Sequence, residues 1–209
     1  FQVSTDKVAQ EQLADALKNF DAILVRSATT VRQNVIDACP NLKVIGRAGV
    51  GMDNIDVKYA RDKGLAVINT PAASSQSVAE LVFAHLFTGV RMLYDANRNM
   101  PSSETKETFD KLKKKYSAGI ELRGKTIGII GAGQIGKCVA SIAMGLGMNV
   151  MFHRLNNEDV SVDLNLHPSL GQHKISVTFK CVSFTKLITA SDFITLHMPF
   201  AKGSPPVIA

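Results

Sequence analysis

The chain has 209 residues, of which 45% are hydrophobic and 20% charged, a composition typical of a folded globular protein and not of a disordered one. The formal net charge of +6 suits a small anionic substrate, because positive potential concentrates anions in a cleft. The dense basic cluster KLKKK (111–115) has no interleaved aromatic residues to stack on bases, so we expect a solvated helix face and no nucleic-acid partner.

Short β-branched runs alternate with helical stretches in the first part of the chain. The strand-like runs are DAILVRS (21–27), LKVIGRAG (42–49) and LAVINT (65–70), and VRQNVIDA and DVKYARDKG follow the first two as helices. The apolar runs are continuous instead of alternating, which predicts an α/β protein with a parallel sheet covered on both faces.

A long helix is predicted after the third strand. The pattern S-x-x-E at Ser77 and Glu80 is a capping box, which marks the start of this helix. From there a wide apolar stripe recurs at helical spacing, as is typical of a helix at a domain or subunit junction, and we expect a homodimer. Its members are Val78, Leu81, Val82, Phe83, Leu86, Phe87, Val90 and Leu93. We expect His85, within this helix, to be packed in the core.

Residues 99–123 are polar and charged and contain Pro101 and Gly119, the composition of a connection between two cores. The boundaries predict one domain at 1–98 and a second at 124–209.

The second domain begins with the strand KTIGIIG, a glycine turn, a helix from about Ile135 that ends at Gly147, and the strand NVMFHR (149–154). This is the length of a βαβ unit. The stretch 155–185 contains a candidate strand at 174–182 to which we assign no role. The segment LITASDFITLHMP then predicts a short helix and a buried strand.

The glycine turn has the spacing G-x-G-x-x-G at Gly131, Gly133 and Gly136. Because a strand precedes it and a helix follows, it predicts the site for a dinucleotide pyrophosphate, which would face the free N–H groups and positive dipole end of the helix. The alternative is that the three glycines serve packing alone.

The end of the following strand bears on the choice between NAD and NADP. A site for NAD usually has an acidic residue there, whereas this chain has His153 and Arg154. An arginine can pair with a ribose 2′-phosphate, which favours NADP. The sequence is equally compatible with NAD, which other contacts would hold while Arg154 faces solvent.

Two arginines end strands of the first sheet, at the carboxyl edge where open α/β folds bind ligands. They are Arg26 and Arg47, and both suit a carboxylate or a phosphate. The glycines at positions 49 and 51 have N–H groups that could form an anion-binding nest.

The cysteines Cys39, Cys138 and Cys181 form no C-x-x-C motif or Cys/His cluster, which predicts buried thiols and no metal site. No apolar run has the ~18 residues of a membrane span, and the start of the chain has no signal-peptide pattern. We therefore expect a cytoplasmic protein with no membrane partner.

Six ordered motifs together resemble the D-isomer-specific 2-hydroxyacid dehydrogenases, and most closely their phosphoglycerate branch. The motifs are AILVRSAT, LKVIGRAGVGMDNIDV, GLAVINTP, SVAELVFA, GIELRGKTIGIIGAGQIG and ASDFITLHMP, and they span most of residues 22–199. The resemblance implies two Rossmann-like domains, a substrate domain and an NAD(P)-binding domain, with the substrate in the cleft between them. It also implies hydride transfer between NAD or NADP and 3-phosphoglycerate, the first step of serine synthesis.

The resemblance implies roles for individual residues. Those expected at the anionic groups of the substrate are Arg26, Ser27, Arg47, Ala48, Gly49 and Ser74. Those expected at the cofactor, besides the three glycines and the pair 153–154, are Val50 at the nicotinamide end, Gln134 and Ile135 at the pyrophosphate, and His197, Met198 and Pro199 on the adenosine side.

The chain also departs from the family pattern. Ser74 replaces a common asparagine and Arg154 a common aspartate, which keeps open a glyoxylate or hydroxypyruvate reductase that uses NADPH. The family's catalytic arginine, glutamate and histidine are expected beyond Ala209, and its first strand and helix before Phe1, so we interpret both domains as incomplete and assign no catalytic residue. If the natural chain ends at Ala209, the alternative is a non-catalytic protein that senses dinucleotides.

Overall fold

The computed structural model describes residues 2–165, 174–199 and 203–208. The chain forms two compact units, Phe1–Ser74 and Ser75–Ala209. The predicted domain boundary at 98 does not coincide with this division, because Ala79 and Phe83 of the long helix pack in the core of the second unit.

The first unit contains a parallel sheet of three strands in the order β1-β2-β3. The strands are β1 (Ala22–Val25), β2 (Val44–Arg47) and β3 (Ala66–Asn69), and the helices are α1 (Leu13–Leu17), α2 (Gln33–Ala38) and α3 (Val57–Asp62), with a 3-10 turn at Gln10–Gln12. The three strands predicted here are confirmed, each shorter at both ends than its apolar run.

The described residues cover only one face of this first sheet. Leu24, Gly46 and Ile68 are neighbours across the three strands, and Leu24 and Ile68 are 78% and 55% exposed. Ile45, which points to the opposite face, is fully buried. The expectation of a sheet covered on both faces is therefore wrong for the described part of this unit.

The second unit contains a parallel sheet in the order β5-β4-β8 and an antiparallel hairpin, β6-β7. Its strands are β4 (Thr126–Ile130), β5 (Asn149–His153), β6 (Val160–Asn165), β7 (Lys174–Phe179) and β8 (Phe193–Leu196). Its helices are α4 (Ser75–Val90), α5 (Leu93–Asn99), α6 (Lys106–Tyr116), α7 (Gln134–Gly145) and α8 (Phe184–Ala190), with a 3-10 turn at Met100–Ser102. The core lies around Ile127, Ile129 and Phe152, which are fully buried.

The long helix differs from its prediction in two details. It begins at Ser75, so Ser77 lies inside the first turn, and the Glu80 carboxylate accepts a hydrogen bond from Gln76 Nε2 at 3.0 Å. The predicted capping box is therefore wrong. His85 is exposed, because it lies about 200° around the helix from the buried Phe83.

The connection at 99–123 is partly helical. The N-terminus of α6 is capped by Thr105, whose hydroxyl oxygen accepts a hydrogen bond from Thr108 N at 3.2 Å. The basic cluster lies at the other end of α6, where lysines stabilise the negative end of the helix dipole. Its lysines are exposed, as the sequence predicts.

The candidate strand at 174–182 is β7, which pairs with β6. Val160 and Val162 of β6 are buried, and Phe179 of β7 packs edge-on to Phe152 with 5.5 Å between ring centroids. The hairpin thus extends the core of the second unit beside β5. Among the described residues, no helix is both long and apolar enough to cross a membrane.

Candidate functional site

The glycine turn joins β4 to α7 through two close contacts. Gly131 has a φ of +102°, a left-handed conformation that favours glycine, and a Cβ there would lie 2.6 Å from the carbonyl oxygen of His197. A Cβ at Gly136 would overlap the carbonyl oxygen of Gly131. Packing alone therefore accounts for these two glycines.

Gly133 has a different environment. A Cβ at this position would have no heavy atom within 4 Å, so packing gives no reason for a glycine. It directly precedes α7, whose first-turn amides, Gln134, Ile135 and Gly136, have no partner inside the helix and whose first turn holds no acidic residue. The open space beside Gly133 and the N-terminus of α7 fit a diphosphate group.

The ends of the two neighbouring strands lie beside the glycine turn. Gly131 N donates to the carbonyl oxygen of His153 at 3.0 Å, and His197 N donates to the carbonyl oxygen of Ile130 at 2.7 Å. The structure therefore brings the predicted cofactor residues of the second unit to one edge of its sheet. They are Gly131, Gly133, Gln134, Ile135, Gly136, His153, Arg154, His197, Met198 and Pro199.

The side chains at the end of β5 and directly after it have partners within the protein. His153 Nδ1 lies 3.0 Å from the carbonyl oxygen of Val182, and its ring packs edge-on to Phe184. Arg154 Nη1 lies 3.5 Å from Glu158 Oε2, in a turn where Asn157 N donates to the carbonyl oxygen of Arg154 at 3.1 Å. A carboxylate is therefore present near Arg154, although it does not end the strand.

His197 is half-buried after β8. Its Nε2 lies 2.9 Å from Thr195 Oγ1, and burial lowers the pKa of the imidazole below its usual value. The described histidines, His85, His153 and His197, have no carboxylate within ion-pair distance in the described part of the chain. His167 and His173 lie outside the described residues. These observations give no acid/base pair to assign.

In the first unit, Arg26 and Ser27 are exposed directly after β1. Arg47 ends β2, and its guanidinium turns back on its own loop, where Nη1 donates to the carbonyl oxygen of Gly51. Arg47 Nε is buried without a hydrogen-bond partner in the described residues. Val25 and Arg47 are partners across the parallel pair, so Arg26 and the loop after Arg47 share one edge of the sheet.

Two backbone amides predicted to contact the substrate are already bonded. Ala48 N donates to the carbonyl oxygen of Val25 at 2.9 Å, and Gly49 N donates to Thr70 Oγ1 at 2.9 Å. The next two amides, Val50 N and Gly51 N, have no hydrogen-bond partner among the described residues. An anion at this loop would therefore meet positions 50 and 51 without breaking a bond. Ser74 lies half-buried just before α4.

Sequence reasoning missed three residues at this edge. Asn69 Nδ2 donates to the carbonyl oxygen of Val50 at 2.7 Å, Thr70 binds Gly49, and Asn54 Nδ2 donates to the carbonyl oxygens of Arg26 and Thr29. Asn69 and Thr70 could have been found, because they end the third strand at the same edge. Asn54 gives no comparable signal, since its partners precede it by a whole strand and helix.

Comparisons with known proteins agree with this arrangement. The chain is 37% identical over 201 residues to the D-3-phosphoglycerate dehydrogenase of Methanocaldococcus jannaschii, covering 96% of this chain and 35% of that protein. It is 35% identical over 207 residues to the hydroxypyruvate reductase of Thermotoga maritima, covering 99% of this chain and 60% of that protein. A solved acyclic imino acid reductase in complex with NADPH and D-Arg superposes with a TM-score of 0.69 and 30% identity, over 94% of this chain and 57% of the other.

The family model described as D-isomer specific 2-hydroxyacid dehydrogenase, catalytic domain, matches residues 1–194. The chain therefore belongs to the family of D-isomer specific 2-hydroxyacid dehydrogenases. It spans between 35% and 60% of the length of the two relatives above. No group of three or more His, Cys, Asp or Glu residues suited to a metal ion occurs in the described parts of the chain.

Proposed function

We propose that the protein transfers a hydride between NAD(P) and 3-phosphoglycerate. The observation that carries this proposal is the open space beside Gly133 at the N-terminus of α7, since packing does not require a glycine there. When bound, the nicotinamide cofactor supplies the hydride chemistry. Gln134 and Ile135 would hold its pyrophosphate, 197–199 would line its adenosine, and Val50 would contact the nicotinamide end.

The first unit would hold the anionic groups of the substrate. Arg26, Ser27 and Ser74 supply side chains there, and Arg47 does so once its guanidinium leaves Gly51. The unpaired amides at positions 50 and 51 would donate to a carboxylate or a phosphate. Cations and amides in this number suit a substrate with two anionic ends, such as 3-phosphoglycerate.

The cofactor site is tested by Gly133→Ala. We expect binding of NADH or NADPH to weaken by about tenfold or more, because the Cβ enters the space where the pyrophosphate would approach. Thermal stability should hardly change, since that Cβ meets no protein atom. Gly145→Ala, at the other end of α7 and equally free of contacts, is the matched control and should bind normally. Equal affinity of Gly133→Ala and wild type, followed by nicotinamide fluorescence, would overturn the proposed site.

The reaction is tested by turnover. We expect the natural full-length protein to reduce NAD+ or NADP+ with 3-phosphoglycerate, and residues 1–209 expressed alone to show no turnover. Activity of residues 1–209 alone would contradict our expectation that the catalytic arginine, glutamate and histidine lie elsewhere. Absence of turnover with every 2-hydroxy acid, in protein that binds the cofactor, would favour a non-catalytic dinucleotide sensor.

A second candidate is a glyoxylate or hydroxypyruvate reductase that uses NADPH. It is favoured by Arg154, which can pair with a 2′-phosphate, and by the similarity to the Thermotoga maritima hydroxypyruvate reductase. Arg154→Gln should then weaken NADPH more than NADH. Glu158→Gln should strengthen the binding of NADPH relative to NADH, because it removes the carboxylate that faces the Arg154 guanidinium. Unchanged affinity ratios in both variants would exclude Arg154 from the choice of cofactor, and Asp159→Asn controls for the charge change.

The proposed assembly is a homodimer in the cytoplasm. Leu81 and Phe87 on α4 are partly exposed apolar side chains that support association. Cys39, Cys138 and Cys181 are all free in the described structure, which suits a reducing compartment. Only Cys39 is buried, so the expectation of buried thiols is wrong for the partly exposed Cys138 and Cys181. Light scattering on the full-length protein tests the dimer directly.

A further inference from the structure

The buried side chain of Asn54 joins two loops at the carboxyl edge of the first sheet. Asn54 is only 4% exposed, a rare position for an asparagine. Its Nδ2 donates to the carbonyl oxygen of Arg26 at 2.9 Å and to that of Thr29 at 2.6 Å. Both protons of the amide are thereby used, and both go to the loop after β1.

The two carbonyl groups belong to the first and fourth residues of the turn at 26–29. A turn of this kind is often closed by a hydrogen bond between its own first carbonyl and fourth amide. The chain makes such a turn here, with residues 27 and 28 at its tip, and the two hydrogen bonds from Asn54 add to the turn's own closure. Ser27, near the tip of this turn, is exposed.

The backbone of Asn54 strengthens the same connection. Val31 N donates to the carbonyl oxygen of Asn54 at 2.9 Å, and Asp56 N donates to that of Val31 at 3.0 Å. Asn54 itself lies at the end of the loop that begins at Arg47. One residue therefore ties the loop that presents Arg26 and Ser27 to the loop that presents Arg47.

The amide oxygen of Asn54 lowers the stability of the fold. Its Oδ1 is buried without a hydrogen-bond partner in the described residues. A buried acceptor that lacks a partner destabilises a fold, whereas an apolar side chain of similar size would leave no such atom. The cost is consistent with a requirement for the two donors, and hence for a fixed shape of the turn.

We propose that Asn54 is a positioning residue that holds the turn at 26–29 in the orientation that captures the anionic substrate. The inference rests on the proposed function, since it assumes that Arg26 and Ser27 contact the substrate. Asn54 acts through the turn and does not touch the substrate itself. Displacement of a binding group by about 1 Å is enough to weaken productive binding strongly.

Asn54→Ala in the natural full-length protein tests the proposal. We expect KM for 3-phosphoglycerate to rise about tenfold, while KM for the cofactor stays within about twofold and kcat falls less than KM rises. Asn54→Ser should restore part of the loss, because a hydroxyl can donate one of the two hydrogen bonds. Asn41→Ala is the matched control, since the Asn41 amide donates to the carbonyl oxygen of Lys18 at 3.0 Å, outside both loops.

The outcomes separate positioning from a purely structural role. A structural role would lower thermal stability and speed hydrogen exchange at 26–31 with the substrate KM unchanged, which would overturn the proposal. If Asn54→Ala fails to fold, the KM of Asn54→Ser decides in the same way. If the wild type turns over no 2-hydroxy acid, the proposed function fails by itself. Calorimetry with inorganic phosphate, comparing the wild type with Asn54→Ser, then decides on Asn54. Equal affinities of the two proteins, or no binding by either, overturn the proposal.

Discussion

The central strands of the two parallel sheets each contain a glycine, and the two glycines lie in different surroundings. At Gly46 in β2, a Cβ would overlap Leu24 Cδ2, which belongs to a side chain that is largely exposed. At Gly128 in β4, a Cβ would meet Leu187 Cδ2 at 2.6 Å, and Leu187 of α8 is fully buried. The same residue in the same place therefore admits a helix in one sheet, whereas in the described part of the other it lies beneath the exposed side chains of Leu24 and Ile68.

The loops at the carboxyl edges differ in a related way. In the first unit, side chains hold the loops: Asn54 donates two hydrogen bonds to one turn, and Asn69 and Thr70 bind the next loop. In the second unit, backbone groups and glycines bring the loops together, as at Gly131 and His197. The first arrangement orients charged side chains, and the second exposes main-chain amides.

The largest effect is expected from Gly128→Ala. The added methyl group cannot be accommodated without moving α8, so the free energy of unfolding should fall by about 2 to 3 kcal/mol. Urea denaturation followed by circular dichroism measures this change. A loss below about 0.5 kcal/mol would show that α8 does not press on β4 as described.

Gly46→Ala is the matched change in the first sheet. We expect a loss of less than about 1 kcal/mol, because Leu24 can rotate into solvent without displacing a helix. If Gly46→Ala were as destabilising as Gly128→Ala, the open face of the first sheet would have to be covered in solution, and the contrast between the two sheets would fail.

A smaller effect is expected at the side chains that hold the loops of the first unit. Thr70→Val keeps the shape of the side chain but removes one of the two acceptors of Gly49 N, the other being the carbonyl oxygen of Arg47, so stability should fall by about 0.5 to 1 kcal/mol. Thr88→Val is the control, because the Thr88 hydroxyl only donates to the carbonyl oxygen of Ala84 within α4. Equal effects of both variants in urea denaturation would argue against a loop held by Thr70.

Sequence reasoning was successful where a local pattern determines a local structure. The parallel strands, the glycine turn and the helix that ends before Gly147 follow from periodicity and glycine spacing, and each is present. The capping box at Ser77 was wrong because S-x-x-E has the same spacing inside the first turn of a helix as it has when its serine precedes the helix. Asn54 escaped notice because its role arises from hydrogen bonds to residues 28 and 25 positions earlier, which no local pattern records.

The smallest effect concerns the packed loop of the second unit, where burial lowers the pKa of His197 below its usual 6.5. The unfolded chain then binds more protons than the folded one between the lowered pKa and 6.5, so stability is full above this window and declines as pH falls through it. Aspartates whose pKa is lowered by lysines, such as Asp15 and Asp21, add their own loss only as pH falls below their usual 3.8. His197→Asn should therefore flatten the decline of unfolding free energy as pH falls below about 6.5. An unchanged slope in His197→Asn would mean that the loop beside Gly131 is open to water in solution, and the second unit would then resemble the first more closely than its structure indicates.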